Sequence, residues 1–459
     1  GWNRQSVAWC DAANVSPATL KRFWRRLPMN PDAFQSICAA VQVNRQDVVA
    51  SPIALTDPTL PSSTDANTAI LSASVTPAAN FWVGREPMIQ RLVDMVQGNC
   101  RLLALTGLTG TGKTALSAQL AQRLETALTQ QQVVQFDQTE AMNFAQFASY
   151  VLGGAIAAES NSLTASPTPS VVNQVVSHLV SQPLLLILDG LETILQGDET
   201  TGWSQFKDPA WGEFLRQWLA AHTPASRIIL TSQAFPAELE TLGGRYFDRW
   251  HGEVVRGLTP PEQMQLFAQA GLEITPTEAQ ADLHRIGAVY EGHPLALRVI
   301  AGEILGQPFF GKVTAYWQVH HREIEAMERL CREADAQGPQ DSLALDRYTR
   351  HLKRLVQQRL EDTFARLRQE LPQAYRLLCL GSVYRRPVAE QFWLNMLALE
   401  SGTVETAEIW LDALRDRDLV EDVLIEDELY LRQHNLIRTV ALHHLQTLPR
   451  HDPAVPAHS

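Results

Sequence analysis

The sequence predicts an α/β fold, with a parallel sheet that carries helices on both faces in the first half of a 459-residue chain. Short runs of consecutive apolar residues alternate with segments of helical periodicity, a pattern typical of a parallel sheet buried on both faces. A glycine-rich segment stands between the first such run and the helix that follows it. After about residue 255 the pattern becomes mostly helical, so a helical second half is expected.

The composition bounds the classes of protein that the chain can belong to. At roughly 150 residues per domain, the length allows about three domains. The residues are 45% hydrophobic and 19% charged, which is ordinary for a globular protein. The net charge of −12 argues against a chain that binds nucleic acid or membrane surfaces along its whole length.

The cysteines and the apolar runs give an expectation about the compartment. The five cysteines lie far apart and form no C-x-x-C pair, which favours reduced thiols in a cytoplasmic protein. The longest apolar run, 184–188, is too short for a membrane span, and no signal peptide is visible. A cytoplasmic protein without a membrane partner is therefore expected.

Residues 1–50 are predicted to form a small all-α domain. Two helical segments, 5–13 and 17–26, have helix–turn–helix spacing, with Ser16 as the cap and Pro17 at the first helical position. The segment resembles the lambda-repressor-like helix–turn–helix fold. The second helix is basic, as expected of a DNA reader, and carries Lys21, Arg22, Arg25 and Arg26.

A second interpretation of residues 1–50 stays open. Leu20, Phe23 and Trp24 can form a core that leaves the cations as a solvated face, and such domains also serve as protein adaptors. The partner of this domain is therefore either DNA or a protein. Residues 51–79 follow, rich in Ser, Thr, Pro and Ala with almost no charge, and are expected to be a flexible linker.

The glycine-rich segment GLTGTGKT, residues 107–114, has the spacing of a P-loop between a strand and a helix. Glycines let backbone N–H groups approach phosphate oxygens, and the helix N-terminus adds partial positive charge. Lys113 is expected to bridge the terminal phosphates, and Thr114 to ligate Mg²⁺. The predicted nucleotide contacts in this stretch are Gly107, Gly110, Thr111, Gly112, Lys113, Thr114 and Ala115.

A carboxylate for the metal is predicted at the end of a second strand. The apolar run 184–188 leads directly into Asp189, the Walker B pattern. Many P-loop hydrolases place a second acid next, whereas this chain has Gly190. Glu192 is the nearest acidic substitute for orienting water, and an ordinary exposed loop carboxylate is the alternative. The predicted catalytic set is Lys113, Asp189 and Glu192, with Mg²⁺ on Thr114 and Asp189.

A third strand, 227–231, ends in polar residues. Thr231, Ser232 and Gln233 follow its apolar part, and in open parallel sheets ligands bind at the carboxyl ends of the strands. Thr231 is therefore expected to face the phosphates.

Six motifs in order resemble the NB-ARC module of the STAND family of signalling ATPases, over roughly residues 81–448. They are FWVGRE at 81–86, the P-loop, the Asp189 strand, the Thr231 strand, GHPLA at 292–296 and LRQHNL at 431–436. The resemblance implies a P-loop domain (80–254), a helical bundle (255–306), a helical connector (307–345) and a winged-helix domain (346–450).

The resemblance also implies roles for residues outside the P-loop. Val83, Gly84 and Arg85 would line the adenine and ribose. Pro294 would pack on the adenine from the helical bundle, and His434 would reach the β-phosphate of ADP from the winged-helix domain. The acidic turn of the predicted hairpin, 425–428, would repel phosphates, so DNA binding by that domain is not expected.

Two departures from the family pattern weaken the prediction of fast hydrolysis. The third strand usually closes with an Arg that contacts the γ-phosphate, and this chain has Gln233 there. The histidine triplet, usually Met-His-Asp, is Gln433-His434-Asn435. Together with Gly190, the lost Arg removes charge that would stabilise the transition state.

The sequence thus predicts a switch that binds ATP or ADP, with slow hydrolysis, self-association in the ATP state and signalling through residues 1–50. A nucleotide-regulated transcription factor that binds DNA through the helix–turn–helix is the alternative. A motor or metabolic ATPase is disfavoured by Gly190 and Gln233.

Overall fold

The computed structural model describes residues 36–37, 76–77, 82–136, 142–153, 169–196, 205–275, 277–336, 343–384, 386–401, 404–425 and 428–448. The predicted helix–turn–helix, residues 5–26, and its basic face therefore lie outside the described residues. Within the described part of the chain, no helix is long and apolar enough to cross a membrane.

The first half of the chain alternates strands and helices. In order, its elements are β1 (Thr76–Pro77), α1 (Glu86–Gln97), β2 (Leu102–Thr106), α2 (Lys113–Leu124), β3 (Gln130–Gln135), α3 (Phe144–Val151), α4 (Pro169–Ser181), β4 (Leu184–Asp189), a 3-10 helix (Leu191–Ile194), β5 (Leu195–Gln196), β6 (Gln205–Phe206), α5 (Ala210–Ala220), β7 (Arg227–Ser232), α6 (Ala237–Gly243) and β8 (Trp250–Val254).

The central sheet has the order β3-β4-β7-β2-β8, and all its neighbouring strands run parallel. Every residue of β2 is buried, with Leu102 and Ala104 in one core cluster and Leu103 and Leu105 in another. Successive side chains of a strand point to opposite faces, so the two clusters cover the two faces of the sheet. The predicted α/β sheet with helices on both sides is confirmed, and we call it, with its helices, the sheet domain.

The two edge strands of the sheet are the more polar ones. The edge strand β8 was not predicted, because Trp-His-Gly-Glu-Val contains no apolar run and is only partly buried. Strand β3 forms the opposite edge, and its first two residues, Gln130 and Gln131, are exposed.

The chain then continues as helices. They are α7 (Pro260–Ala270), α8 (Thr277–Val289), α9 (Pro294–Leu305), α10 (Val313–Ala336) and α11 (Leu343–Glu370). We call α7 to α10 the helical unit. Helix α7 begins with a T-x-x-E capping pattern, in which Glu262 Oε2 accepts the N–H of Thr259 at 2.8 Å and its hydroxyl at 2.7 Å.

Helix α11 belongs to two cores. Leu352, Leu355 and Val356 pack with the helical unit, whereas Leu360 and Phe364 pack in the next cluster along the chain. The helix therefore runs across the division placed between residues 345 and 346. One continuous helix thus connects the helical unit to the last part of the chain.

The last part of the chain, which we call the C-terminal unit, combines helices with a small sheet. Its elements are α12 (Pro372–Gly381), β9 (Val388–Ala389), α13 (Glu390–Ser401), α14 (Val404–Asp416), β10 (Glu421–Ile425), β11 (Glu428–Arg432) and α15 (Asn435–Thr447). Strands β10 and β11 form the antiparallel hairpin that the sequence predicts.

The hairpin belongs to a sheet of order β1-β10-β11-β9. Its first strand comes from the stretch predicted to be linker: Thr76 is opposite Leu424, and Pro77 is opposite Val423. Proline cannot donate to a ladder and is confined to edge strands, which is where β1 lies. The chain ahead of the sheet domain is therefore held against the C-terminal unit.

Candidate functional site

The loop between β2 and α2 depends on glycines in the left-handed region. Gly107, Gly110 and Gly112 have φ values of 148°, 91° and 92°. A Cβ on Gly107 would lie 2.6 Å from the carbonyl oxygen of Val255, and a Cβ on Gly110 would lie 2.7 Å from His293 Cε1. Only glycine fits these positions, so the loop wraps closely enough to cradle phosphates, as the P-loop pattern predicts.

Lys113 is the first residue of α2 and lies inside this loop. It is buried, and its Nζ donates to the carbonyl oxygens of Gly107 at 2.8 Å and Leu108 at 2.9 Å. Burial lowers the pKa of Lys113, and the nearby carboxylates of Glu192 and Asp189 oppose that shift. The ammonium is thus held at the place where P-loop lysines meet phosphate.

The ends of three neighbouring strands bring Asp189 and two threonines together. Asp189 Oδ1 accepts the hydroxyl of Thr114 at 2.8 Å and that of Thr231 at 2.6 Å. The Thr231 hydroxyl in turn accepts the N–H of Gly190 at 3.0 Å. A hydroxyl and a carboxylate at this spacing are oxygen donors of the kind that Mg²⁺ prefers, and they fit the predicted ligands Thr114 and Asp189.

The remaining Mg²⁺ ligands would have to come from phosphates and water. Among the described residues there is no group of three or more His, Cys, Asp or Glu side chains that could hold a metal ion by itself.

Glu192 and Gln233 contact each other at the same edge of the sheet. The Gln233 amide donates from Nε2 to Glu192 Oε1 at 3.1 Å. Glu192 follows β4 and Gln233 follows β7, and these strands are neighbours in the sheet. The predicted water-orienting carboxylate is therefore engaged with Gln233, which stands where the resemblance implies an Arg.

The segment before α1 packs on the helical unit. Arg85 is buried with φ 61°, and its guanidinium donates to the carbonyl oxygens of Thr111 at 2.8 Å and Arg256 at 2.7 Å. Burial lowers the pKa of Arg85, and Glu262 opposes the shift. A Cβ on Gly84 would lie 2.3 Å from Glu262 Oε1, so this glycine allows the close approach of α7.

The start of α9 touches the P-loop directly. His293 is buried and precedes Pro294, its Nδ1 accepts the N–H of Ala296 at 3.3 Å, and its Nε2 lies 3.0 Å from the carbonyl oxygen of Thr109. Because Nδ1 is the acceptor, the neutral ring carries its proton on Nε2 and donates it to Thr109. Burial lowers the pKa of His293 to about 4, so the ring is neutral at physiological pH.

His434 occupies the same position at the start of α15. Its Nδ1 accepts the N–H of Leu436 at 3.2 Å, which places the proton of the neutral ring on Nε2. Burial lowers the pKa of His434 to about 4. Glu421 opposes that shift, while Arg432, Arg298 and Lys113 add to it. A neutral imidazole with one N–H donor is suited to a phosphate oxygen.

One cavity of about 330 Å³ is lined by residues of all three units. Of the predicted residues it is lined by Val83, Arg85, Gly110, Thr111, Gly112, Lys113, Thr114, Ala115, Asp189, Glu192, Thr231, Pro294 and His434. Gly84 and Gly107 are not among its lining residues within the described chain. The predicted residues that line the cavity therefore come from positions as far apart in the chain as Val83 and His434.

Charged lining residues without a predicted role include Arg298, Glu421 and Arg432. Arg298 lies one turn after Pro294 in α9 and pairs with Asp418 and Glu421 of the C-terminal unit, both at 2.9 Å. Glu421 also pairs with Arg432 at 3.1 Å. Burial alone would raise the pKa of Glu421, but Arg432 and Arg298 lower it to about 2. A network of charges therefore joins the helical and C-terminal units beside the cavity.

Comparison with known proteins shows what the chain resembles. Residues 82–210 match the family model of the AAA ATPase domain. An uncharacterised WD repeat-containing protein from a Nostoc strain is 27% identical over 334 residues, 69% of this chain and 26% of that protein. The chain thus spans about a quarter of the length of this curated relative.

Two solved structures are similar to this chain at low sequence identity. A STAND protein with a tetratricopeptide repeat sensor from Pyrococcus horikoshii is 15% identical, with a TM-score of 0.47 over 81% of this chain and 44% of that one. A Walker-type ATPase from Pyrococcus abyssi is 14% identical, with a TM-score of 0.33 over 79% of this chain and 96% of that one. The chain contains a P-loop ATPase domain, on the family match, the strand order and the loop geometry.

Proposed function

We propose that this chain is an ATP/ADP-dependent molecular switch of the STAND class, which controls self-association and signalling through its N-terminal residues and hydrolyses ATP slowly. The observation that carries the proposal is the shared cavity: the P-loop, Pro294 and His434 come from three units and line one space. A nucleotide held there would contact all three units, so its identity can decide how they are arranged.

We call the arrangement in which all three units contact the bound ADP the closed state. In this state, each unit would make different contacts with the nucleotide. Lys113 and the backbone N–H groups of the loop would hold the phosphates, and Pro294 would pack on the base. His434 would donate its Nε2 proton to a phosphate oxygen, since its Nδ1 is engaged with Leu436. Moving the equilibrium between an open and a closed state from 1:99 to 99:1 needs about 5.5 kcal/mol of difference in nucleotide binding between the two states. A few charge-assisted contacts can supply this difference.

Slow hydrolysis follows from the chemistry at the carboxyl ends of β4 and β7. Mg²⁺ bound with ATP would be held by Thr114 and Asp189 and would polarise the phosphates. Glu192 is the acid available to orient water, but its Oε1 already accepts the Gln233 amide. A neutral amide at that position stabilises developing phosphate charge less than the guanidinium of an Arg would.

The proposal is tested by the release of bound ADP. The nucleotide that co-purifies with the full chain is identified first, and the release of a fluorescent ADP analogue is then followed. His434→Ala is expected to release it about tenfold faster, the loss of one hydrogen bond to a charged group. His443→Ala is the control, since His443 is exposed on the same helix, and it should release ADP like the wild type. Equal release by His434→Ala and the wild type would contradict the closed-state role.

The partner of residues 1–50 is a separate question. A gel-shift assay on genomic fragments at varied salt distinguishes DNA from a protein partner, because phosphate contacts give a steep dependence on salt. Binding with a steep salt slope would favour the transcription-factor alternative.

A further inference from the structure

Arg298 is the one cavity-lining side chain of α9 beyond Leu295 in the described chain. It lies four residues after Pro294, so the two share a face of the helix. The side chain is 22% exposed, and its guanidinium makes two ion pairs, with Asp418 and with Glu421. Both carboxylates belong to the C-terminal unit, so the pairs join two units across the cleft.

The pairs are stronger than ordinary surface ion pairs. The Asp418 and Glu421 side chains are 19% and 15% exposed, so solvent screens them only in part. Glu421 is shared with Arg432, and the two arginines and two carboxylates are balanced in charge. Removing one member of such a set leaves the others partly buried without compensation, which is costly.

A guanidinium that lines the nucleotide cavity has a second class of partner. Its planar fork matches carboxylate and phosphate oxygens equally well, and both are bound bidentately. The same cavity is lined by Lys113 and Thr114, and Lys113 is close enough to affect the pKa of His434. Gln233 stands where the resemblance implies an Arg for the γ-phosphate, so the third strand offers that phosphate a neutral amide in place of a guanidinium.

We propose that Arg298 is the residue that distinguishes ATP from ADP: it pairs with Asp418 and Glu421 in the closed state and exchanges them for the terminal phosphate of a nucleoside triphosphate. The exchange releases the C-terminal unit at the moment the triphosphate is bound. This inference rests on the proposed function and adds the residue through which the nucleotide would act.

The test compares variants that remove either side of the pair. Arg298→Gln removes both the closed-state pairs and the phosphate contact. The double variant Asp418→Asn, Glu421→Gln removes only the pairs and leaves the guanidinium available to phosphate. ADP release and the dissociation constants of ATP and ADP are measured for the full chain in the presence of Mg²⁺.

The two variants are expected to have the same effect on ADP release and opposite effects on the affinity for ATP. Both should release ADP faster, because both lose the closed-state pairs. Arg298→Gln should bind ATP about tenfold more weakly, whereas the double variant should bind ATP more tightly than the wild type. Arg298→Lys, which keeps the charge but not the fork, should fall between the wild type and Arg298→Gln.

Arg285→Gln is the matched control. Arg285 lies in the helical unit and pairs with Glu328 at 2.9 Å, but it does not line the cavity. It should leave both affinities unchanged. ATP affinities that shift in the same direction for Arg298→Gln and the double variant, or an Arg298→Gln that behaves like the control, would overturn the proposal. If the wild type bound neither ATP nor ADP, the proposed function itself would fail.

Discussion

At the scale of the residue, two histidines share one arrangement at the site. His293 and His434 each stand just before a helix, and each accepts a backbone N–H of that helix at Nδ1. Protonation would replace this acceptor with a donor and place a charge at the positive end of the helix. Both rings are therefore kept neutral, and their Nε2 protons are directed outward from α9 and α15.

The pKa of His293 predicts a loss of stability in acid. Its ordinary value is 6.5 and its value in the folded chain is about 4, so between these two pH values the unfolded chain binds a proton that the folded chain does not. The contribution of His293 to the free energy of unfolding should therefore fall as pH drops from about 6.5 to about 4 and stay constant below that. The lowered pKa of this buried ring corresponds to a loss of about 3 kcal/mol in the free energy of unfolding between these two pH values.

His293→Asn isolates that contribution, because Asn also caps a helix but does not titrate in this range. Urea unfolding of both proteins between pH 4 and pH 7 gives the two stability curves. The wild type should lose more stability than the variant as pH falls. Parallel curves would show that His293 titrates alike in the folded and unfolded chains.

Lys113 carries the prediction on nucleotide binding. Lys113→Ala removes the ammonium held beside the loop carbonyls of Gly107 and Leu108, and with it a charged contact to the phosphates. The affinity for ATP and ADP should fall by about 100-fold, and calorimetric titration measures it. Lys207→Ala is the control, since Lys207 is exposed and donates to the Thr193 carbonyl at 2.7 Å. An unchanged ATP affinity in Lys113→Ala would refute the assignment of the site.

At the scale of the element, local signals were enough to predict the parts of the site that follow one another in the chain. The P-loop is specified by glycines next to an apolar strand, and the capping box at Thr259 by a four-residue pattern. The strand β8 was not predicted, because it lies at the edge of the sheet and pairs with β2 through its backbone without needing an apolar run.

The residues that the sequence did not indicate depend on contacts between distant elements. Arg298 meets Asp418 and Glu421 across 120 and 123 residues, and no periodicity or spacing signals such a pair. His293 stood inside the GHPLA motif, but its contact with Thr109 depends on how α9 is placed on the P-loop. Such roles are set by tertiary structure and become visible only there.

Glu262 joins the start of α7 to the segment before α1, which gives a prediction at this scale. It accepts the N–H and hydroxyl of Thr259 and also the N–H of Arg85. Glu262→Ala should lose about 2 kcal/mol, from the cap and the Arg85 contact together, and should weaken nucleotide binding, because Arg85 lines the cavity.

Thr259→Ala is the matched variant, since it removes the hydroxyl contact but leaves the contact between Glu262 and Arg85. It should cost less stability than Glu262→Ala and leave the nucleotide affinity near that of the wild type. Urea unfolding and ATP titration of the two variants measure these effects. Equal nucleotide affinities in both variants would show that Glu262 acts only as a cap.

At the scale of the whole molecule, two elements connect the units on either side of the cleft, the helix α11 and the strand β1. Helix α11 is packed in the cores of both the helical and C-terminal units, so one continuous helix links them. Strand β1, residues 76–77, pairs with the hairpin of the C-terminal unit. Movement of that unit would therefore act on residues 76–77 as well as on the cleft.

The last prediction concerns self-association of the full chain. With ADP bound, the proposed closed state should keep the C-terminal unit over the cleft, and the chain should elute as a monomer in size-exclusion chromatography with light scattering. With Mg²⁺ and a non-hydrolysable ATP analogue, the C-terminal unit should be released, and the surface that it covers on the P-loop and on α9 becomes available to a second copy, so larger species should appear. Lys113→Ala should stay monomeric at nucleotide concentrations that saturate the wild type, because its affinity for both nucleotides is about 100-fold lower. A wild type that holds the analogue, as shown by its absorbance in the eluted peak, and yet remains monomeric would refute the link between the nucleotide and assembly.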